Sequence, residues 1–304
     1  MSEKTLKQLG GALVVAAALW GVTLLLRGDG DASLSASGEI ATFFDGVSQM
    51  SVSRVHMAGP TGETELAGGP DDWTANGFQA DSATMVRFWG AVLSVRVGVL
   101  TASNPANHDR MGVSAESAAS IEFDVDGETR TILLGNSGPR FSTSYVRLPD
   151  SDDVYILEGD LRTHARRLPA EWRNKRVVKA DTSAFARVAI EREGDSYTLV
   201  RGDSTWTFED GSPTNASTVR GVMSEFTSLL SVGFLEEGDS LAVAEQGGIT
   251  TAYDASGNVV AEVTIGSGES DRWARASGDD VIYRIGSFRV NRITPTRESM
   301  EPGS

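Results

Sequence analysis

The sequence predicts an α+β protein in which an N-terminal transmembrane helix is followed by two tandem repeats, each an antiparallel sheet packed on one main helix. Three observations carry that expectation. The stretch Gln8 to Leu26, QLGGALVVAAALWGVTLLL, holds nineteen residues without a charge. Beyond residue 50, short runs of alternating apolar and polar residues are separated by turns rich in Gly, Asp and Asn, the pattern of antiparallel strands with one buried face. Landmarks of the first half then return in the same order in the second half, which marks a duplicated unit.

As an α-helix, residues 8–26 would be roughly 28 Å long, close to the roughly 30 Å hydrocarbon core of a bilayer. Leu9, Leu13, Val14, Leu19, Trp20, Leu24, Leu25 and Leu26 are therefore the expected membrane anchor. The competing reading is a cleaved secretory signal whose basic region is Lys4 and Lys7. Such signals have apolar cores of about 7 to 15 residues and end in small side chains, whereas this stretch is longer and ends in three leucines. Lys4 and Lys7 precede the span, while Arg27 is followed by Asp29, Asp31, Glu39 and Asp45. The positive-inside rule then puts residues 1–7 in the cytoplasm and the large C-terminal part on the periplasmic side of the inner membrane. Residues 27–50, rich in Gly, Ser and Asp, read as a flexible linker with a reach of roughly 25 Å, and Phe43 and Phe44 are expected on the first sheet.

Acidic residues number 42 against 27 basic ones, for a net charge of -15. That balance argues against nucleic acid and against broad adhesion to anionic lipid, both of which need basic surface. Cysteine is absent, so disulfides and thiolate metal sites are excluded. The length suffices for two modest domains or one large one, folding without staples.

The duplication is read from ordered matches. Arg54-Val55 returns as Arg187-Val188, Trp73-Thr74 as Trp206-Thr207, and Ala83, Val86 and Arg87 as Ala216, Val219 and Arg220, all at an offset of 133. Further on, Val97-Gly98 matches Val232-Gly233, Gly135 matches Gly266, Asp152-Asp153-Val154 matches Asp279-Asp280-Val281, and Gly159 and Arg162 match Gly286 and Arg289. The repeats are thus 51–168 and 185–293. Each opens with a meander that ends at Trp73 or Trp206, read as core plugs. A helix follows, with Met85, Phe88, Trp89, Val92 and Leu93 as the apolar stripe of the first. Val219, Val222, Met223, Phe226, Leu229 and Leu230 form that of the second. Asp81 and Thr214 stand where N-caps belong. Asp126-Gly127 and Ser256-Gly257-Asn258 mark hairpin turns. SYVRLPDSDDVYIL and DRWARASGDDVIYRI read as hairpins turned at an Asp-Asp pair, and each copy closes with a short helical turn.

Between the copies, residues 169–184 belong to a basic island, LRTHARRLPAEWRNKRVVKA. Arg166, Arg167, Trp172, Arg173, Lys175 and Arg176 are its candidates for contact with a partner or a membrane surface; the alternative is a solvated linker helix. The tail, 294–304, reads as disordered. No catalytic residue is predicted: His56, His108 and His164 are far apart without metal-ligand spacing, and there is no nucleophile elbow, phosphate loop or dinucleotide fingerprint. No cofactor and no metal site are expected, since Asp at the paired turns serves the backbone.

The order of anchor, Trp-Thr-x-x-Gly, the helix opening QADSATMV, the loop HDRMGV, the strand ending ILLG, then SYVR, DDVYIL and the junction WRNKRVV resembles the bacterial domain-of-unknown-function family 4340. The resemblance implies a membrane-anchored extracytoplasmic protein, often encoded beside an ABC-2 type transporter with a gliding-motility-type auxiliary component. It supplies no catalytic residue. The second copy lacks the Met111-Gly112 loop. The expected function is that of a non-catalytic accessory or scaffold subunit of a membrane complex, first an ABC-2 type transporter assembly. The alternative is a structural subunit of a photosynthetic reaction-centre or respiratory complex, in which Gly10, Gly11, Ala17 and Gly21 permit close helix packing. An extracytoplasmic hydrolase is the least supported class. The expected partners are the bilayer and other integral membrane subunits.

Overall fold

The computed structural model describes residues 38–236, 239 and 244–303. The expected anchor, residues 8–26, lies outside them, as do residues 27–37 of the expected linker. Among the described residues no helix is long and apolar enough to cross a membrane. The chain is mixed α+β, mostly antiparallel sheet with few helices, and divides into two compact units, one ending at Trp172 and the other starting at Arg173.

The first unit begins with a single helical turn, α1 (Glu39–Thr42), where the sequence suggests linker. Ile40, Phe43 and Val47 are buried in the core, and Phe43 packs edge-on against Phe123 at 6.3 Å. Arg130 ties the segment down by donating to the carbonyls of Phe43 and Asp45. Three apolar anchors and one arginine thus override a composition that looked like coil.

Its sheet is built from β1 (Val52–Gly59), β2 (Gly62–Ala67), β3 (Thr74–Ala75), β4 (Phe78–Gln79), β5 (Arg96–Ala102), β6 (Ala119–Val125), β7 (Glu128–Ser137), β8 (Thr143–Arg147) and β9 (Val154–Glu158). The order is β4-β3-β2-β1-β6-β7-β8-β9-β5, with antiparallel pairing throughout. Alternation fixes the register. In β6 the buried residues are Ala119, Ile121, Phe123 and Val125, so a slip of one residue would turn all four to solvent. Val55, with Leu66 on one side and Phe123 on the other, carries the apolar face across three strands. Asp126 and Gly127, both at positive φ, close the two-residue turn between β6 and β7.

Helix α2 (Ser82–Ser94) covers that face. Asp81 caps it, its carboxylate accepting from the Thr84 amide at 2.8 Å. Met85, Phe88, Trp89 and Val92 are buried. Phe88 stacks on Phe123 and meets Trp172 edge-on at 5.4 Å. Each such side chain, fully buried, contributes about 1.5–3 kcal/mol. Leu93, expected on the stripe, is 69 % exposed, as is Val86 at 71 %. The short helices α3 (His108–Met111) and α4 (Leu161–Ala165) complete the unit.

In the second unit the strands are β10 (Arg176–Val178), β11 (Arg187–Arg192), β12 (Asp195–Arg201), β13 (Trp206–Phe208), β14 (Leu229–Leu230), β15 (Gly233–Phe234), β16 (Gln246–Tyr253), β17 (Val259–Gly266), β18 (Arg272–Ala276) and β19 (Tyr283–Ile285). The main sheet runs β13-β12-β11-β16-β17-β18-β19-β15, and β10 pairs with β14 separately. Leaving β4 aside, this is the strand order of the first unit. Helix α5 (Ala216–Thr227) takes the place of α2, and α6 (Ser287–Ile293) that of α4.

Four readings need correction here. The cap of α5 is Asn215, whose Oδ1 accepts from the amides of Ser217 and Thr218; the Thr214 hydroxyl instead donates to the Trp206 carbonyl. With Asp81 and Asn215 as equivalent caps, buried Met85, Phe88 and Val92 correspond to Val219, Val222 and Phe226 at an offset of 134, one more than the residue identities suggest. The tail is ordered over residues 294–303: α7 (Arg297–Met300) buries Met300 completely, Asn215 donates to the Met300 carbonyl, and Tyr197 donates to that of Pro295. Residues 169–184 form no linker helix. Pro169–Glu171 makes one 3-10 turn in the first unit, and Arg176–Val178 is strand β10 of the second.

Candidate functional site

The most distinctive sequence motif, HDRMGV, folds as α3 and the turn after it. Met111 and Val113 pack on Val154, Ala102 and Tyr145 in a small separate apolar cluster. Arg147, from SYVR, is only 8 % exposed and fastens this loop. Its Nε donates to the Val113 carbonyl at 3.1 Å, and its Nη1 to the carbonyls of Leu148, Pro149 and Ser151 at 3.1, 2.8 and 2.9 Å. His108 Nε2 donates to the Asp152 carbonyl at 3.0 Å, which fixes the proton on that nitrogen. Arg162 donates to the Gly135 carbonyl at 2.8 Å. Gly135 has to be glycine, since a Cβ there would lie 2.3 Å from the Met111 carbonyl oxygen. At the matching Gly266 a Cβ would lie 2.2 Å from the Trp273 ring. The glycine at the same place in each copy therefore answers two different neighbours.

The other two histidines lie elsewhere. His56 on β1 is 3.8 Å from both Glu63 and Glu122. His164 is buried against Phe88 and Trp172, and burial, then the Arg167 charge, lowers its pKa. Among the described residues no group of His, Asp and Glu is arranged to hold a metal ion.

The basic island divides between the units. Trp172 is fully buried in the first core and Arg173 nearly so in the second, so neither offers the surface contact expected of it. The reason is packing: Trp172 fills the space beside Phe88, and Arg173 lies 3.8 Å above the Phe234 ring with Glu236 at 3.3 Å. Arg167 lies over the Trp172 ring at 5.7 Å. Arg166, Arg167 and Lys175 are half-buried, and Arg176 is exposed.

A different basic locus comes from the second unit. A cleft of about 770 Å³ is lined by Arg192 of β11, Arg220 of α5 and Arg292 of α6, with Ser217, Ser224 and Phe288, and among the described residues no acidic one lines it. Arg192 Nη1 donates to the Thr294 carbonyl, while its buried Nε meets no acceptor. Arg292 Nε lies 3.0 Å from Glu225, a carboxylate 2 % exposed that also pairs with Arg289 at 2.7 Å. Arg220 is exposed. The three arginines are 28 and 72 residues apart, a separation that no motif reading could bridge.

The motifs gathered around Arg147 can be set beside known proteins. Residues 73–247, more than half of the chain, match the model of the family described as a domain of unknown function, DUF4340. The chain belongs to this family. The DUF4340 match opens at Trp73, takes in α2, the HDRMGV loop and the Arg147 clamp, and ends at Gly247 in β16. Of the basic cleft it includes Arg192 and Arg220 but not Arg292. No curated protein and no solved structure matches the chain.

Proposed function

We propose that this DUF4340 protein is a non-catalytic, membrane-anchored accessory or scaffold subunit of a larger membrane complex, with an ABC-2 type transporter assembly as first candidate. Residues 8–26 serve as a single-pass anchor with the N-terminus in the cytoplasm. The two units, read as tandem copies, stand on the periplasmic side. The uncharged stretch supports the anchor. The observation that carries the non-catalytic reading is the engagement of the motif side chains with backbone: His108 and Arg147 are hydrogen-bonded to loop carbonyls, so they hold shape. Mild solubilisation followed by identification of co-purifying chains tests the proposal. Transporter subunits are the expected companions. Respiratory or reaction-centre subunits would favour the alternative assembly, and recovery as a lone monomer would overturn both.

A further inference from the structure

We propose that the cleft of the second unit is a binding site for a phosphate-type oxyanion, held by Arg192, Arg220 and Arg292. Three features of the cleft point that way. Acidic residues outnumber basic ones 42 to 27 in the chain, yet among the described residues none lines this cleft. By contrast, the cleft beside α1 carries Glu39, Asp45, Glu128 and Asp150. Secondly, the guanidiniums arrive from three separate elements, β11, α5 and α6, and keep donors in hand. Arg220 forms no ion pair among the described residues, Arg192 engages Nη1 with the Thr294 carbonyl, and Arg292 has only Nε turned to Glu225. Guanidinium forks facing one space suit a tetrahedral, multiply charged oxyanion, which accepts from several directions at once. A single planar carboxylate would leave most of these donors unused. Hydroxyls of Ser217 and Ser224 lie on the same face of α5 as Arg220 and add neutral donors.

The third feature comes from comparing the two units. At the offset of 134 set by the helix caps, Ser217, Arg220, Gly221 and Ser224 of α5 stand where α2 has Ala83, Val86, Arg87 and Gly90. Buried Met85, Phe88 and Val92 keep apolar counterparts in Val219, Val222 and Phe226, while buried Ala91 gives way to Glu225, the carboxylate beside Arg292. On the outward face each helix carries one arginine, and Ser217 and Ser224 put hydroxyls where α2 has Ala83 and Gly90. A face that only had to be soluble would not require arginines from two further elements to converge on it.

The phosphate has two possible sources, a free phosphate or pyrophosphate and a phospholipid headgroup, and the test separates them. The full chain, purified in a non-ionic detergent, is titrated calorimetrically with inorganic pyrophosphate, with water-soluble short-chain phosphatidylglycerol, and with citrate as a polycarboxylate of similar charge. Saturable pyrophosphate binding is expected, with citrate weaker. Arg220→Ala, an exposed position that leaves the core intact, weakens it about tenfold, the loss of one charge-assisted contact. Ser224→Asp abolishes it, and Arg176→Ala, an exposed arginine outside the cleft, leaves it unchanged. Lipid binding with the same Arg220 dependence identifies a headgroup as the source, and pyrophosphate binding without it identifies a soluble phosphate. Absence of saturable binding by both phosphate probes, citrate binding more tightly than either, or indifference to Arg220→Ala would overturn the assignment.

Discussion

Arg147→Met tests whether the side chains gathered at the HDRMGV loop form a structural clamp. The side chain is nearly buried and makes four contacts to carbonyl oxygens, three of them from Nη1. Nη1 has two hydrogens, so those three contacts amount to two full bonds, and Nε adds a third. Three charge-assisted bonds at about 1.5 kcal/mol each give about 4.5 kcal/mol. Removing the cation also removes its desolvation cost, and water can reach the carbonyl of exposed Pro149. The net loss expected is therefore about 2–3 kcal/mol, with Met keeping most of the apolar stem. Hydrogen exchange followed by mass spectrometry is the assay, because it reports opening segment by segment. Peptides spanning 108–113 and 148–153 should exchange faster by the corresponding factor, while peptides of the second unit stay as they were. Arg147→Lys, which keeps the charge but loses Nε, should show about half the effect. A change below about 0.5 kcal/mol in Arg147→Met, within the range of ordinary surface substitutions, would refute the clamp.

Gly135→Ala and Gly266→Ala should each cost about 3 kcal/mol by overpacking, the first loosening exchange around Met111 and the second around Trp273; a neutral result in either would mean that the neighbour gives way. Glu225→Ala should lower the unfolding free energy of the second unit by about 2–3 kcal/mol in a denaturant titration. That is less than for a fully buried pair, because Arg289 and Arg292 remain about one-third exposed and can hydrate. The same substitution should tighten pyrophosphate binding, since it frees Arg292. For His164, burial and then the Arg167 charge lower the pKa below the ordinary 6.5, with Asp160 opposing. The folded state then binds this proton less well than the unfolded one, so first-unit stability should be full above pH 6.5 and decline below it until the lowered pKa is passed. His164→Phe should flatten that decline, and an unchanged slope would assign it to other groups.

Where local pattern decides structure, the sequence is a good guide. The alternation of β6, the turn Asp126-Gly127 and the cap Asp81 are all readable because each is settled within a few residues. The second helix shows the limit: Thr214 and Asn215 are both capping residues, and only the hydrogen bond from Thr214 to Trp206, eight residues away, leaves the role to Asn215. Matching Val86 to Val219 by identity pairs an exposed valine with a buried one. Trp172 was hidden by the charges around it, and the tail by its Pro, Gly and Ser, although buried Met300 and hydrogen bonds from Asn215 and Tyr197 dock it. The basic cleft left no local trace, because its arginines meet only through the sheet and two helices.

The outward face of α5, where Ser217, Arg220 and Ser224 replace Ala83, Val86 and Gly90 of α2, has a broader consequence. Caps and inward residues keep each helix seated on its sheet, so the opposite side is free to acquire new chemistry without risk to folding. Once a module is present twice, one version can go on meeting the mechanical requirement while the other specialises. Placing the outward residues of α5 on α2 ought therefore to leave the first unit folded, and recognition would follow only if counterparts of Arg192 and Arg292 were supplied as well.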